Sequence, residues 1–121
     1  MPLTKEQAIA LFKNAKRKQQ NRDYQGCIKD FTEILSYCQE TGNKSLEARA
    51  YRYIGYTHED RGNYREALPY HKKDLDIALQ LGDKGGEGRA YGNIGNAHHS
   101  LGNYQEALTY HQKHLDIALQ L

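Results

Sequence analysis

Along the second half of the chain, residues suited to a buried face fall three and four positions apart. From Tyr64 they run Tyr64, Ala67, Leu68, His71, Leu75, Ala78 and Leu79, close to the 3.6-residue period of a helix with one packed side. Just upstream, Ala50, Tyr51, Ile54 and His58 make a second such face. The alternation expected of a strand is absent. Both patterns then come back. GNYREALPYHKKDLDIALQL at 62–81 returns as GNYQEALTYHQKHLDIALQL at 102–121, and laying 42–81 over 82–121 pairs about 25 of 40 residues identically without a gap. Self-similarity at such a period predicts stacked supersecondary units, each unable to bury its apolar face alone.

Punctuation divides each 40-residue block into two helices. Asn63 with Glu66, and Asn103 with Glu106, have capping-box spacing, so the Asn side chain is expected to accept from an orphan backbone N–H. Gly62 and Gly102 precede them, where a helix must stop and turn. Gly42-Asn43 and Gly82-Asp83 supply a terminal glycine and then a cap between blocks. The first block is a weaker copy that sets Tyr24 on Tyr64, Cys27 on Ala67, Ile28 on Leu68 and Leu35 on Leu75. Thr4 with Gln7 makes its first cap, and Asn21-Arg22-Asp23 its turn, with Asp23 as cap and no glycine. Six helices are predicted, at 4–20, 24–40, 44–61, 64–81, 84–101 and 104–120, in three units at 1–41 (divergent), 42–81 and 82–121. Pro69 conflicts with the fourth helix, since it removes a hydrogen bond where the other copy has Thr109. A bend there, or a later helix start, is expected.

Composition adds limits. At 121 residues, 38% hydrophobic and 26% charged, the chain reads as folded and soluble, and a net charge of +2 gives no overall field calling for nucleic acid. No apolar run of about 18 residues exists to cross a bilayer, and the first residues lack a signal-peptide core. A cytosolic or nuclear address is expected of the chain as given. Cys27 and Cys38 fall on one predicted helix, about 16 Å apart along its axis, too far to pair; this suits a reducing compartment.

The residues resemble the tetratricopeptide repeat (TPR) family. Tyr91, Ile94, Gly95, His98, Gly102, Tyr104 and Ala107 match its helix-turn-helix pattern, as do Tyr51, Ile54, Gly55, His58, Gly62, Tyr64 and Ala67. Where the family has an aromatic in the second helix, the blocks carry Phe31, His71 and His111. The 40-residue length and the runs Tyr91 to Asn96 and Tyr110 to Ala118 are similar to the long repeats of the Pins/LGN group of cell-polarity adaptors. In the first block Asn14 and Ala15 replace the Leu-Gly pair, so the likeness there rests on its second helix. The resemblance implies an all-α fold, a right-handed α-solenoid of three helix-turn-helix units whose inner surface is lined by the first helix of each pair.

That inner stripe is the candidate binding site. It reads Phe12, Lys13 and Lys16, then Arg49, Arg52, Tyr53, Tyr56 and Glu59, then Arg89, Asn93, Asn96 and His99. The copies, alike elsewhere, differ here: Arg52 against Gly92, Tyr53 against Asn93, Tyr56 against Asn96, Glu59 against His99. Solvated positions free to drift would also vary. Five cations on the stripe against Glu59 and Asp60 favour an acidic peptide, since Arg pairs carboxylates in bidentate fashion. TPR domains that clamp a chaperone's C-terminal carboxylate resemble one another in residues that here are Phe12, Lys16 and Tyr53; only Arg89 and Asn93 fit. A rival reading is structural, with self-association through the uncapped last unit at Leu115, Leu119 and Leu121.

Other chemistry finds less support. No cofactor is implied, and neither a nucleophile-base pair nor a phosphate-cradling loop is present. His111 and His114 stand three apart on a helix and are the only suggestion of a metal ligand pair, but His71 and His111 occupy one equivalent packing position and His58 and His98 another. The Lys13, Lys16, Arg17, Lys18 and Arg22 cluster is a weaker candidate surface for nucleic acid, since no stacking platform accompanies it. The recurring tyrosines read as packing between helices.

Overall fold

The computed structural model describes residues 2–121, and all regular structure in them is helical. Six helices follow in order: α1 Lys5–Gln20, α2 Tyr24–Thr41, α3 Lys44–Asp60, α4 Tyr64–Leu81, α5 Lys84–Ser100 and α6 Tyr104–Gln120. Each packs mainly on the next in the chain, with a smaller contact between α1 and α3. This is a linear stack of three helix-turn-helix repeats in which no helix needs a distant partner.

Local chemistry accounts for most helix ends. Thr4 and Gln7 form a full capping box at α1, and the Asp23, Asn43 and Asp83 side chains accept from Gly26, Leu46 and Gly86 N–H at α2, α3 and α5. Asn63 and Asn103 behave differently from the capping-box expectation, for neither makes a side-chain cap bond. The Asn103 amide lies instead within 3.3 Å of His98 Nδ1, so the ring that ends α5 takes the side chain that would have capped α6.

The turn inside each repeat needs a left-handed residue. Gly62 (φ 78°) and Gly102 (φ 81°) supply it in the second and third repeats. The first repeat has Arg22 there at φ 64°, a conformation that brings Cβ close to the carbonyl. Pro69 stands inside α4, which begins at Tyr64 as its copy begins at Tyr104, so a later start is excluded.

The main core lies between the first repeat and α3. Phe31 meets Phe12 edge-on at 5.2 Å and stacks on Tyr53 at 5.8 Å, with Ile34, Cys38 and Ile54 around them. Phe12 is thus a core residue, 4% exposed, and not part of an open stripe. Toward the C-terminus the core becomes more polar. His71 replaces Phe31 and lies against Gly55, where a Cβ would come within 2.6 Å of the ring. Cys27 and Cys38, both on α2, are buried free thiols. On the flanks, His58 stacks on Tyr70 and His98 on Tyr110.

One stripe recurs on the second helices. Phe31, Ile34 and Cys38 on α2 and His71, Asp74 and Ala78 on α4 are all buried, and each of these helices has a following helix packed on it. On α6 the equivalent His111 is half-buried, while His114 and Ala118 are exposed.

Candidate functional site

α3 and α5 lie side by side along the stack, and α4 closes the slot between them from below. Arg49, Arg52, Asp74, Asp83 and Arg89 line this slot, a cavity of about 290 Å³. Arg52 Nε donates to Asp74 Oδ2 at 3.3 Å, with side chains 14% and 1% exposed. Burial pushes the Asp74 carboxyl up from its ordinary value, and Arg52 pulls it back. The pair fixes a guanidinium at the floor of the slot. The Arg49 guanidinium sits 4.6 Å above the Phe12 ring, on the roof of the core. Arg49 and Arg89 are exposed, and among the described residues neither has an ion-pair partner.

Next along the stack, Arg89, Asn93 and Asn96 on α5 face His111, His114 and Ile117 on α6 across a second cavity of about 440 Å³. Asn93 Nδ2 donates to Tyr56 Oη at 3.0 Å, tying α5 to α3. Gly92, which stands where the second repeat has Arg52, lets His114 come close; a Cβ there would be 2.8 Å from its Nδ1.

The remaining stripe residues separate into three groups. Lys13 and Asn96 are exposed. Lys16 and Tyr56 are partly engaged: Lys16 Nζ stands 5.3 Å over the Tyr53 ring, and Tyr56 meets Tyr53 edge-on at 5.5 Å. Glu59 turns inward, its Oε1 2.7 Å from Nε2 of the fully buried His71, and His99 sets its ring against Tyr104 at 5.3 Å. These two do not line either slot. Asp74 is the participant that a first-helix stripe omits. Its signal lay in the repeat comparison, where Arg52 and Asp74 become Gly92 and His114 together.

The last repeat exposes Leu115 (51%), Leu119 (77%) and Leu121 (79%). Leu79, the counterpart of Leu119, is itself 51% exposed inside the array, so exposure at Leu119 is partly a property of the position. Leu115 is more exposed than its half-buried counterpart Leu75, and His111, His114 and Ala118, beside Leu121, lose the cover that His71, Asp74 and Ala78 have. Among the described residues no group of three or more His, Cys, Asp or Glu could hold a metal, and no helix is long and apolar enough to cross a membrane. In the basic cluster, Lys18 Nζ pairs with Asp30 at 2.8 Å, and that bond raises the Lys18 pKa.

Comparison with known proteins agrees with this architecture. The TPR domain of Arabidopsis FLU superposes with a TM-score of 0.87 at 25% identity, covering 97% of this chain and 98% of that one. BtubC (BKLC) from P. vanneervenii gives 0.90 at 18% identity, covering 97% of this chain and 48% of its own. A Rap protein solved in complex with competence and sporulation factor gives 0.81 at 23% identity, covering 95% of this chain and 32% of its own. No curated protein matches the sequence. The tetratricopeptide repeat family matches residues 46–120, most of the second and third repeats, and the chain belongs to that family.

Proposed function

We propose that the chain is a non-enzymatic adaptor that captures an acidic peptide segment along the face made by α1, α3 and α5. One observation carries this reading: Arg49 and Arg89 stand exposed, without ion partners among the described residues, in the same cavity as Arg52, which the buried Asp74 holds in place. Guanidinium groups so placed offer bidentate donors to carboxylates, and Asn93 and Asn96 add amide donors and acceptors farther along. The likeness of the repeats to the Pins/LGN adaptors supports such a role. A screen of acidic peptides against the wild-type chain and the R49A/R89A/N93A variant tests it. Loss of the selected peptides in the variant is expected, and equal capture by both would overturn it.

A second reading has its own support. The face of His111, His114 and Ala118 matches positions covered by a following helix in the first two repeats, so a second copy packing there gives a self-associating assembly element. Sedimentation at rising concentration tests it, a single monomeric species throughout being the result against it.

A further inference from the structure

We propose that the slot between α3, α4 and α5 is a phosphate site, and that the acidic group the groove takes is the phosphate of a phosphorylated serine or threonine. The peptide part rests on the groove reading above.

Three arginines, Arg49, Arg52 and Arg89, line one cavity of about 290 Å³. Both carboxylates beside them make a hydrogen bond of their own. Asp74 holds Arg52 through Nε, and Asp83 Oδ1 accepts from the Gly86 N–H at 3.0 Å. Among the described residues no hydrogen bond uses the Nη groups of Arg52, and neither Arg49 nor Arg89 has an ion partner. The three arginines face two carboxylates, which leaves the lining with a net positive charge, and the Arg52 guanidinium has donors to spare. A carboxylate brings one charge and two oxygens, enough for one guanidinium. A phosphate monoester brings about −1.5 to −2 charge at neutral pH and three strong acceptor oxygens, one for each arginine of the lining.

The arrangement occurs once among equivalent positions. In the slot before it the residues matching Arg49, Arg52 and Asp74 are Ile9, Phe12 and Ile34, and in the slot after it they are Arg89, Gly92 and His114. Repeat architecture alone would have copied these side chains along with the scaffold. The middle slot is also braced: Asp74 is 1% exposed and anchors Arg52, and Phe12 underlies Arg49 at 4.6 Å. Guanidiniums limited in this way lose less freedom on taking an anion.

Inorganic phosphate, phosphoserine and acetate, titrated into the chain at constant ionic strength and followed by the arginine Nε–Hε NMR resonances, test the slot. Saturable shifts at Arg49, Arg52 and Arg89 are expected with phosphate and phosphoserine, and none with acetate. R49A and R89A, which change exposed residues, should each weaken binding by about tenfold, as for one lost charge-assisted hydrogen bond, with helicity and Tm kept. Equal shifts with acetate, unsaturating shifts, or undiminished binding in both variants would overturn the site. Acidic peptides carrying glutamate or phosphoserine at one position separate the two proposals. Peptides that bind while phosphate does not would sink the phosphate site and leave the groove reading standing. Phosphate bound through Arg49 and Arg89, with no peptide captured, would support the slot and refute the groove reading.

Discussion

Arg52 on α3 reaches Asp74 on α4 at 3.3 Å, and the next repeat replaces both residues together, with Gly92 and His114. An Arg side chain needs space and a counter-charge, whereas glycine lets a neighbouring ring settle on the backbone, so the two positions change as a unit. The exchange turns one inter-helix contact into the floor of a basic slot and the other into the wall of a more open one.

Removing one partner should cost more than removing both. R52A leaves a buried carboxylate unpaired and is expected to destabilise by about 2–4 kcal/mol at pH 7. The R52A/D74A double variant should recover part of that, and a double-mutant cycle in urea measures the coupling. The pH dependence follows from burial. Asp74 binds its proton more readily in the folded than in the unfolded state, so its contribution to stability is fully present at acid pH. That contribution is lost as pH rises from the unfolded value through the raised folded one. Without Arg52 the folded value rises further. The R52A deficit should thus be smallest near about pH 3 and grow through the carboxylate range.

The left-handed residue in the first turn offers a stabilising change. Arg22 holds φ 64° where the other repeats use glycine. R22G should raise stability by about 1 kcal/mol by relieving that strain, seen as a Tm higher by about 3–6 °C. An unchanged or lower Tm would count against it.

Pro69 should be similarly improvable. It stands inside α4, where it cannot donate an intrahelical bond, and the copy has Thr109. P69T is expected to stabilise by about 1–3 kcal/mol in chemical denaturation, and an unchanged or lower midpoint would count against it.

The equivalent glycine-histidine contacts of the second and third repeats, Gly55–His71 and Gly95–His111, should respond unequally to the same substitution. A Cβ at Gly55 would meet a fully buried His71 at 2.6 Å, and one at Gly95 would meet a half-buried His111 at 2.8 Å. G55A should cost about 1–3 kcal/mol through overpacking. G95A should cost less, because the His111 ring can swing toward solvent. Equal losses in thermal melts would contradict this.

Much of the architecture follows from short-range sequence. The six helices, their turns and the caps at Thr4, Asp23, Asn43 and Asp83 depend on residues within a few positions of one another, so periodicity and punctuation suffice to place them. The recurrence of one turn-and-helix unit makes the stack a consequence of repetition. Even the basic stripe on α3 and α5 can be read from helix spacing.

The tertiary structure decided which polar and aromatic side chains remain available. Phe12 lies on the right helix face for a groove, but Phe31 and Tyr53 enclose it. Glu59 is spent on His71, and the Asn103 side chain lies against His98 in place of capping α6. Asp74, from a second helix, reaches under the stripe and orients Arg52. The physical reason is common to all four. Helix spacing fixes the direction of a side chain, while its freedom depends on what neighbouring helices bring within contact distance, and those partners lie from 5 residues away, for Asn103 and His98, to 41, for Phe12 and Tyr53.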